Sequence, residues 1–315
     1  MTSLDYQPQP MEFGINYSQA AAELLAEGRV QIDRFKCPAW PDLIAAVGRI
    51  HPIYVHFPLR IGAGTGTAID TETLKPVNWQ RVRSLLHETG TVHVNVHLAP
   101  LVSDFDQIPP DSLERQHREI LLQAMLQDAR AVVKEFGPER VLIENADPGS
   151  GQILHGALLP EVIHQIIEEV NCGFLLDISH ARLAARALDL DAHEYLTRLP
   201  TNRTREIHLA GIQPLAGRWL RLLRQAELDQ KRRKWFSGPL LDHLPLTEDD
   251  WRFYAQSTQQ LRAGAWGQPS IVTFEYGGVG RLWELFTDKA ILAEQIPRLR
   301  TLVLENQFHK GEDTR

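Results

Sequence analysis

Thiols are nearly absent from this chain. Only Cys37 and Cys172 occur among its 315 residues, far apart and in no CxxC pair. That excludes a disulfide framework and a thiolate metal site, and it fits a reducing cytoplasm. No run approaches the roughly 18 apolar residues of a membrane span. The opening "MTSLDYQPQP" lacks the basic and apolar regions of a signal peptide, so a cytoplasmic location away from membranes is expected. Positive charge is also in short supply. The formal net charge is −7, whereas a broad nucleic-acid surface needs clustered Lys and Arg to displace counterions. No GxGxxG follows the first apolar run and no GxSxG occurs anywhere, which argues against a dinucleotide fold and a serine hydrolase.

What is present is an alternation. Short apolar runs recur as "EFGINY" (12–17), "VQIDRF" (30–35), "IYVHFP" (53–58), "VHVNVHLA" (92–99), "RVLIENA" (140–146), "GFLLDIS" (173–179), "REIHLAG" (205–211) and "SIVTFEYG" (270–277). Helical patterns lie between them. "SQAAAELLAEG" stops at Gly28, the long pattern from Asp111 stops at Gly137, and "PEVIHQIIEEV" starts with a proline. "DKAILAEQIPRLRTLVLEN" follows the last strand. Alternating strands and helices indicate parallel βα units. Eight of them in this length predict an α/β fold, a single-domain (β/α)8 TIM barrel over residues 1–315. Residues 1–11 and 307–315 are expected to be flexible tails. Surplus length after the third strand (60–78) and the seventh (212–250) is expected to form long loops at the C-terminal face, where barrel enzymes bind substrates.

Side chains alternate across a strand, so each strand ending can be assigned a face. His56, His97, Glu144, Asp177, His208 and Glu275 each oppose the aliphatic face of their strand, near its end, and so point into the barrel. A lone strand histidine is usually a hydrogen-bonded core residue. Several ionisable groups converging on one mouth are different, because buried carboxylates without countercharge are costly or become protonated. Divalent cations remove that conflict, since imidazole and carboxylate are ordinary ligands for them. His180 follows Asp177 by three residues and reaches the same cluster, and "LLDHLP" adds Asp242 and His243. These nine groups exceed the four to six donors of one ion, so two or three metal ions with bridging carboxylates are expected. Such ligands suit Fe, Zn and Mn alike.

The ordered set resembles the xylose-isomerase-like TIM-barrel superfamily, which includes endonuclease IV and sugar isomerases. Within it, "CGFLLDISHARLAARALDLDAHEYLTRLP" followed by "REIHLAG" resembles the multinuclear-iron family of MbnB and TglH. "VHFPLRIGAG", "NVHLAP", "LIENADP" and "TFEYGG" resemble further motifs of that family over roughly residues 50 to 280. The chain departs from the family pattern where Val96 replaces an acid before the strand-four histidine and Ile212 replaces a histidine after "HLAG". The late Asp-x-His is here the contiguous pair Asp242-His243. The resemblance implies metal-ligand roles for His56, His97, Glu144, Asp177, His180, His208, Asp242, His243 and Glu275. Glu144, Asp177, His208 and Glu275 are the expected catalytic residues. It further implies a di- or tri-iron enzyme that oxidises a peptide or small thiol-containing substrate, with a small partner protein in attendance.

The alternative is a Zn- or Mn-dependent phosphoesterase or endonuclease-like hydrolase, or a sugar isomerase, and a non-enzymatic metal-storing barrel is the third reading. Two weaker signals remain. "GAGTG" (62–66) has backbone amides to cradle a phosphate but no Walker spacing, so a flexible loop is the expectation. "RWLRLLRQAELDQKRRKWF" (218–236) carries seven basic residues against two acidic ones and reads as an amphipathic lid or a solvated helix.

Overall fold

The computed structural model of the chain describes residues 10–148, 151–233, 236 and 238–304. The expected tails fall outside them, apart from Pro10 and the buried Met11. All eight expected strands form: β1 (Glu12–Asn16), β2 (Arg34–Pro38), β3 (Ile53–His56), β4 (Val94–Leu98), β5 (Val141–Glu144), β6 (Gly173–Asp177), β7 (Thr204–Leu209) and β8 (Ile271–Phe274). They pair in parallel in the order β3-β2-β1-β8-β7-β6-β5-β4. The helices that follow them are α1 (Gln19–Ala26), α2 (Pro41–Val47), α3 (Trp79–Thr89), α4 (Arg115–Phe136), α5 (Pro160–Val170), α6 (Ile178–Ala187), α7 (Glu248–Arg262) and α8 (Lys289–Leu304). Their ends match the punctuation of the sequence. Ser18 caps α1 through Ala21 N, and Gly28 and Gly137 take positive φ just past α1 and α4.

The ring joins up at β3. After Phe57 and Pro58 the chain resumes as a short strand, Leu59–Ile61, which pairs with β4 (Arg60 beside His97, Ile61 beside Leu98). Part of the stretch expected to be loop is therefore the displaced end of the third strand. Pro58 has no N–H to donate, so the ladder breaks there. Side chains bridge the seam instead. Phe57 N donates to Asn95 Oδ1 at 2.8 Å, Asn95 Nδ2 donates to Phe57 O at 3.2 Å, and Val55 N donates to Thr91 Oγ1 at 2.9 Å.

β2 lies further along the chain than its apolar pattern indicates. Val30 and Ile32 are buried but unpaired in any ladder, and the strand starts at Arg34. Arg34 fixes the register by donating to both carboxylate oxygens of Glu12 (2.5 and 3.1 Å), while Asp33 Oδ2 accepts from Phe13 N at 2.8 Å. Phe35 and Cys37 then pack outward among the apolar core, and Lys36 turns into the barrel.

The insertion after β7 builds its own small core. Strands Gly211–Pro214 and Leu240–Leu244 pair antiparallel, and helix Gly217–Gln225 buries Trp219 against Leu241, Leu244, Leu282 and Phe286. Gly211 is obligatory at this junction, because a Cβ there would collide with the Pro245 carbonyl. Lys234 and Trp235, near the end of the basic stretch, lie outside the described residues. Among the described residues, no helix is long and apolar enough to cross a membrane.

The "GAGTG" loop is neither an open phosphate cradle nor loose. The Asp128 carboxylate of α4 accepts from Gly62 N (2.9 Å), Gly64 N (3.0 Å) and Gly66 N (2.7 Å). An internal carboxylate thus fills the anion nest. Removing it would strand the buried Gly62 N, at a cost of about 1–2 kcal/mol, and release Gly64 N and Gly66 N, which water can reach. Asp128→Ala should therefore lower unfolding stability by about 2 kcal/mol, and a denaturant titration that shows no loss would refute the clamp.

Candidate metal centre

Six of the nine expected residues stand at or beside strand ends, as their side-chain parity predicts. Glu144 is the hub. His56 Nε2 and His97 Nε2 lie 3.5 and 3.2 Å from its Oε2, and His180 Nδ1 and His208 Nδ1 lie 3.6 and 3.7 Å from its Oε1. Burial alone would raise this carboxyl, but His97, His56 and His208 hold it well below the usual carboxylate range.

Asp177 shows why its strand ends in charge. It closes β6 and caps α6 at once, its Oδ1 accepting from His180 N at 2.8 Å. No loop intervenes, so the Asp-x-x-His spacing is the spacing of a cap and its third helical residue. Asn145 steadies the pair by accepting from Asp177 N (2.9 Å) and donating to Asp177 O (2.8 Å). His180 Nδ1 donates to Asn145 O at 2.9 Å, and its Nε2 sits 3.2 Å from Asp242 Oδ2.

Asp242 and His243 both join the donor cluster, although neighbours on a regular strand point to opposite faces. His243 adopts φ +53 within the insertion's strand, where the pairing register shifts. That left-handed residue turns the second side chain inward as well. His243 Nε2 then lies 3.7 Å from both Asp242 Oδ2 and Glu275 Oε2, with its ring against Trp283. Glu275, one residue past β8, places Oε1 3.0 Å from His208 Nδ1.

The structure also recruits residues that the sequence reading passes over. Lys36 points inward from β2 and its Nζ contacts Glu275 Oε1. Alternation within "RFKCP" carried that signal, hidden because the apolar run suggested a strand ending at Phe35. Burial lowers the Lys36 ammonium to about 8, against the pull of Glu144, Glu206 and Asp177. Glu206 lies one layer deeper and takes His208 Nε2 at 2.7 Å, which leaves Nδ1 for the ring. Likewise His97 Nδ1 donates to Leu59 O at 3.1 Å, freeing Nε2 toward Glu144. Outer partners of this kind fix which nitrogen of a histidine faces a metal.

The donor set fits a metal. Glu144 Oε2, Asp177 Oδ2, Asp242 Oδ2, His56 Nδ1 and His208 Nδ1 are buried without a hydrogen-bond partner, and such atoms are rare unless an ion or water completes them. Four triads have donor atoms within 4.8 Å of one another: His56–Glu144–His208, His180–Asp242–His243, Glu144–Asp177–His180 and Asp177–His208–Glu275. Burial pushes the His56, His97 and His243 imidazoles down, toward the neutral form that binds metal. At His180 and His208 burial acts in the same direction, but neighbouring carboxylates outweigh it and raise the ring.

The family described as "RiPP precursor modification enzyme MbnB/TglH/ChrH" matches residues 37–229, well over half of the 315-residue chain. The chain belongs to this family. The matched span includes His56, His97, Glu144, Asp177, His180 and His208, and stops short of Asp242, His243 and Glu275. A UPF0276 protein of Acaryochloris marina is 31% identical over 152 residues, covering 47% of this chain and 54% of that protein. One from Rhizorhabdus wittichii is 27% identical over 172 residues, 54% of this chain and 58% of its own. The chain thus spans little more than half the length of these curated relatives.

Solved structures resemble the whole chain. A D-tagatose 3-epimerase-like protein matches with a TM-score of 0.55 at 14% identity, over 94% of this chain and 99% of that one. A xylose isomerase domain containing protein from Salmonella typhimurium matches with a TM-score of 0.53 at 15% identity, over 95% and 99%. At such identities the likeness establishes the TIM-barrel fold and nothing finer.

The thiols stay outside the centre. Burial pushes both Cys37 and Cys172 up to about 12, so the thiolate is scarce at neutral pH. Folded protein at pH 8 is expected to leave a disulfide reagent unreacted, whereas unfolded protein releases two equivalents. Rapid labelling of either cysteine in the native state would contradict this burial.

Proposed function

We propose that this chain is a metal-dependent enzyme whose di- or trinuclear centre, with iron as the leading candidate, oxidises a peptide or small thiol-containing substrate. The observation that carries the reading is the convergence of five imidazoles and four carboxylates in one cluster at the strand ends, with several of their atoms lacking partners. His56, His97, Glu144, Asp177, His180, His208, Asp242, His243 and Glu275 are proposed to hold the ions. The family description, a modifying enzyme of peptide precursors, supports the substrate class. Bound iron would supply redox chemistry and open positions for substrate and O₂.

The chain's own contribution is a shaped site. A cavity of about 350 Å³ opens at the strand ends, with the ring as its floor and Tyr17, Pro38, Trp40, Pro58 and Trp283 as its wall. That wall suits an apolar or aromatic portion of a peptide. Trp40 Nε1 donates to Glu72 Oε1 at 2.7 Å, which holds the indole at the rim. Gly277 and Gly278 also line the cavity, so backbone can approach closely there.

Protein purified without oxygen should carry iron, and exposure to O₂ should change its absorption. Glu275→Gln keeps the shape but removes a charge and should blunt that change. His180→Ala should lower metal per chain while unfolding stays cooperative, because the apolar core does not depend on this ring. A protein that purifies with zinc or manganese, ignores oxygen and cleaves phosphoesters or isomerises sugars would instead be the hydrolase or isomerase suggested by its fold neighbours.

A further inference from the structure

Lys36 has no place among the expected ligands, yet it sits among them. The residue is 8% exposed, and of the side chains that line the cavity it is the only Lys or Arg among the described residues. Its Nζ contacts Glu275 Oε1, the same oxygen that lies 3.0 Å from His208 Nδ1. Asp177, His208 and Glu275 form one of the triads close enough to hold an ion. The ammonium therefore rests against a carboxylate that a metal in this triad would require.

We propose that Lys36 is a built-in cation that takes the place of a third divalent ion and holds the centre at two. The inference rests on the metal reading above and adds a count to it.

Charge balance supports the count. Glu144, Asp177, Asp242, Glu275 and the deeper Glu206 are all nearly or fully buried and bring five negative charges. Two divalent cations and Lys36 bring five positive ones, and neutral imidazoles bring none. A third divalent cation would leave an excess of two positive charges among carboxylates that are themselves almost wholly buried, where uncompensated charge is costly. Glu275 is not lost as a ligand. Its Oε2 lies toward His243, at 3.7 Å from Nε2, away from the lysine contact.

The test is a metal count on the full chain. Protein stripped of metal is reloaded anaerobically with excess Fe(II), or separately with Zn(II), and freed of loose metal by gel filtration. Metal per chain is then read by elemental analysis and native mass spectrometry. The wild type should hold two ions, Lys36→Arg two, and Lys36→Met three, since Met keeps the apolar stem and frees the Asp177–His208–Glu275 triad. Should Lys36→Met fail to fold, Lys36→Gln carries the same expectation of three. A wild type with three ions, or a folded Lys36→Met that stays at two, overturns the role of Lys36 and leaves the metal reading standing. A wild type that binds no metal overturns both.

Discussion

Carboxylates gathered away from water set the terms for this molecule. Glu144, Asp177, Asp242 and Glu275 are almost wholly buried around one cavity, and their mutual repulsion in a low-dielectric interior has to be offset by cations. The surrounding imidazoles and the Lys36 ammonium lie against these carboxylates, and several carboxylate oxygens are left without a hydrogen-bond partner. The barrel delivers the groups from separate strands, and the outer hydrogen bonds decide which atom of each group faces inward.

Those outer bonds are spread over the scaffold. His97 is fixed by the carbonyl of Leu59, His180 by that of Asn145, and His208 by the carboxylate of Glu206. Each bond occupies the ring nitrogen turned away from the centre or from its nearest carboxylate. Asn145 and Asn95 do comparable work for the backbone, joining the end of β5 to β6 and bridging the seam between β3 and β4. The centre therefore rests on rigid strand ends, which hold ligand geometry more closely than loops do. The insertion is the exception. It carries Asp242 and His243 on a strand seated on its own small apolar core, which also contains Leu282 and Phe286 from the segment after β8. Two parts of the chain distant in sequence thus meet to cover one side of the mouth.

Much of this was written in the local pattern. Strand and helix alternation gave the barrel because apolar periodicity reflects burial on sheet and helix faces. Strand parity placed His56, His97, Glu144, His208 and Glu275 inside because the period of a strand is fixed by covalent geometry. The Asp177–His180 spacing was legible for the same reason, a helix cap and its first turn being local structure.

Tertiary structure alone decided the rest. β2 starts at Arg34 rather than Val30, and a distant carboxylate, Glu12, pairs with that arginine at the strand's start. The glycines of "GAGTG" are held by Asp128, a residue of another helix that no local pattern links to them. Asp242 and His243 converge only because a left-handed residue and a shifted pairing break the alternation that sequence parity assumes. Sequence by itself determined which side chains share a face. Charge compensation and strand register, which depend on contacts between residues far apart in the chain, determined how those faces meet.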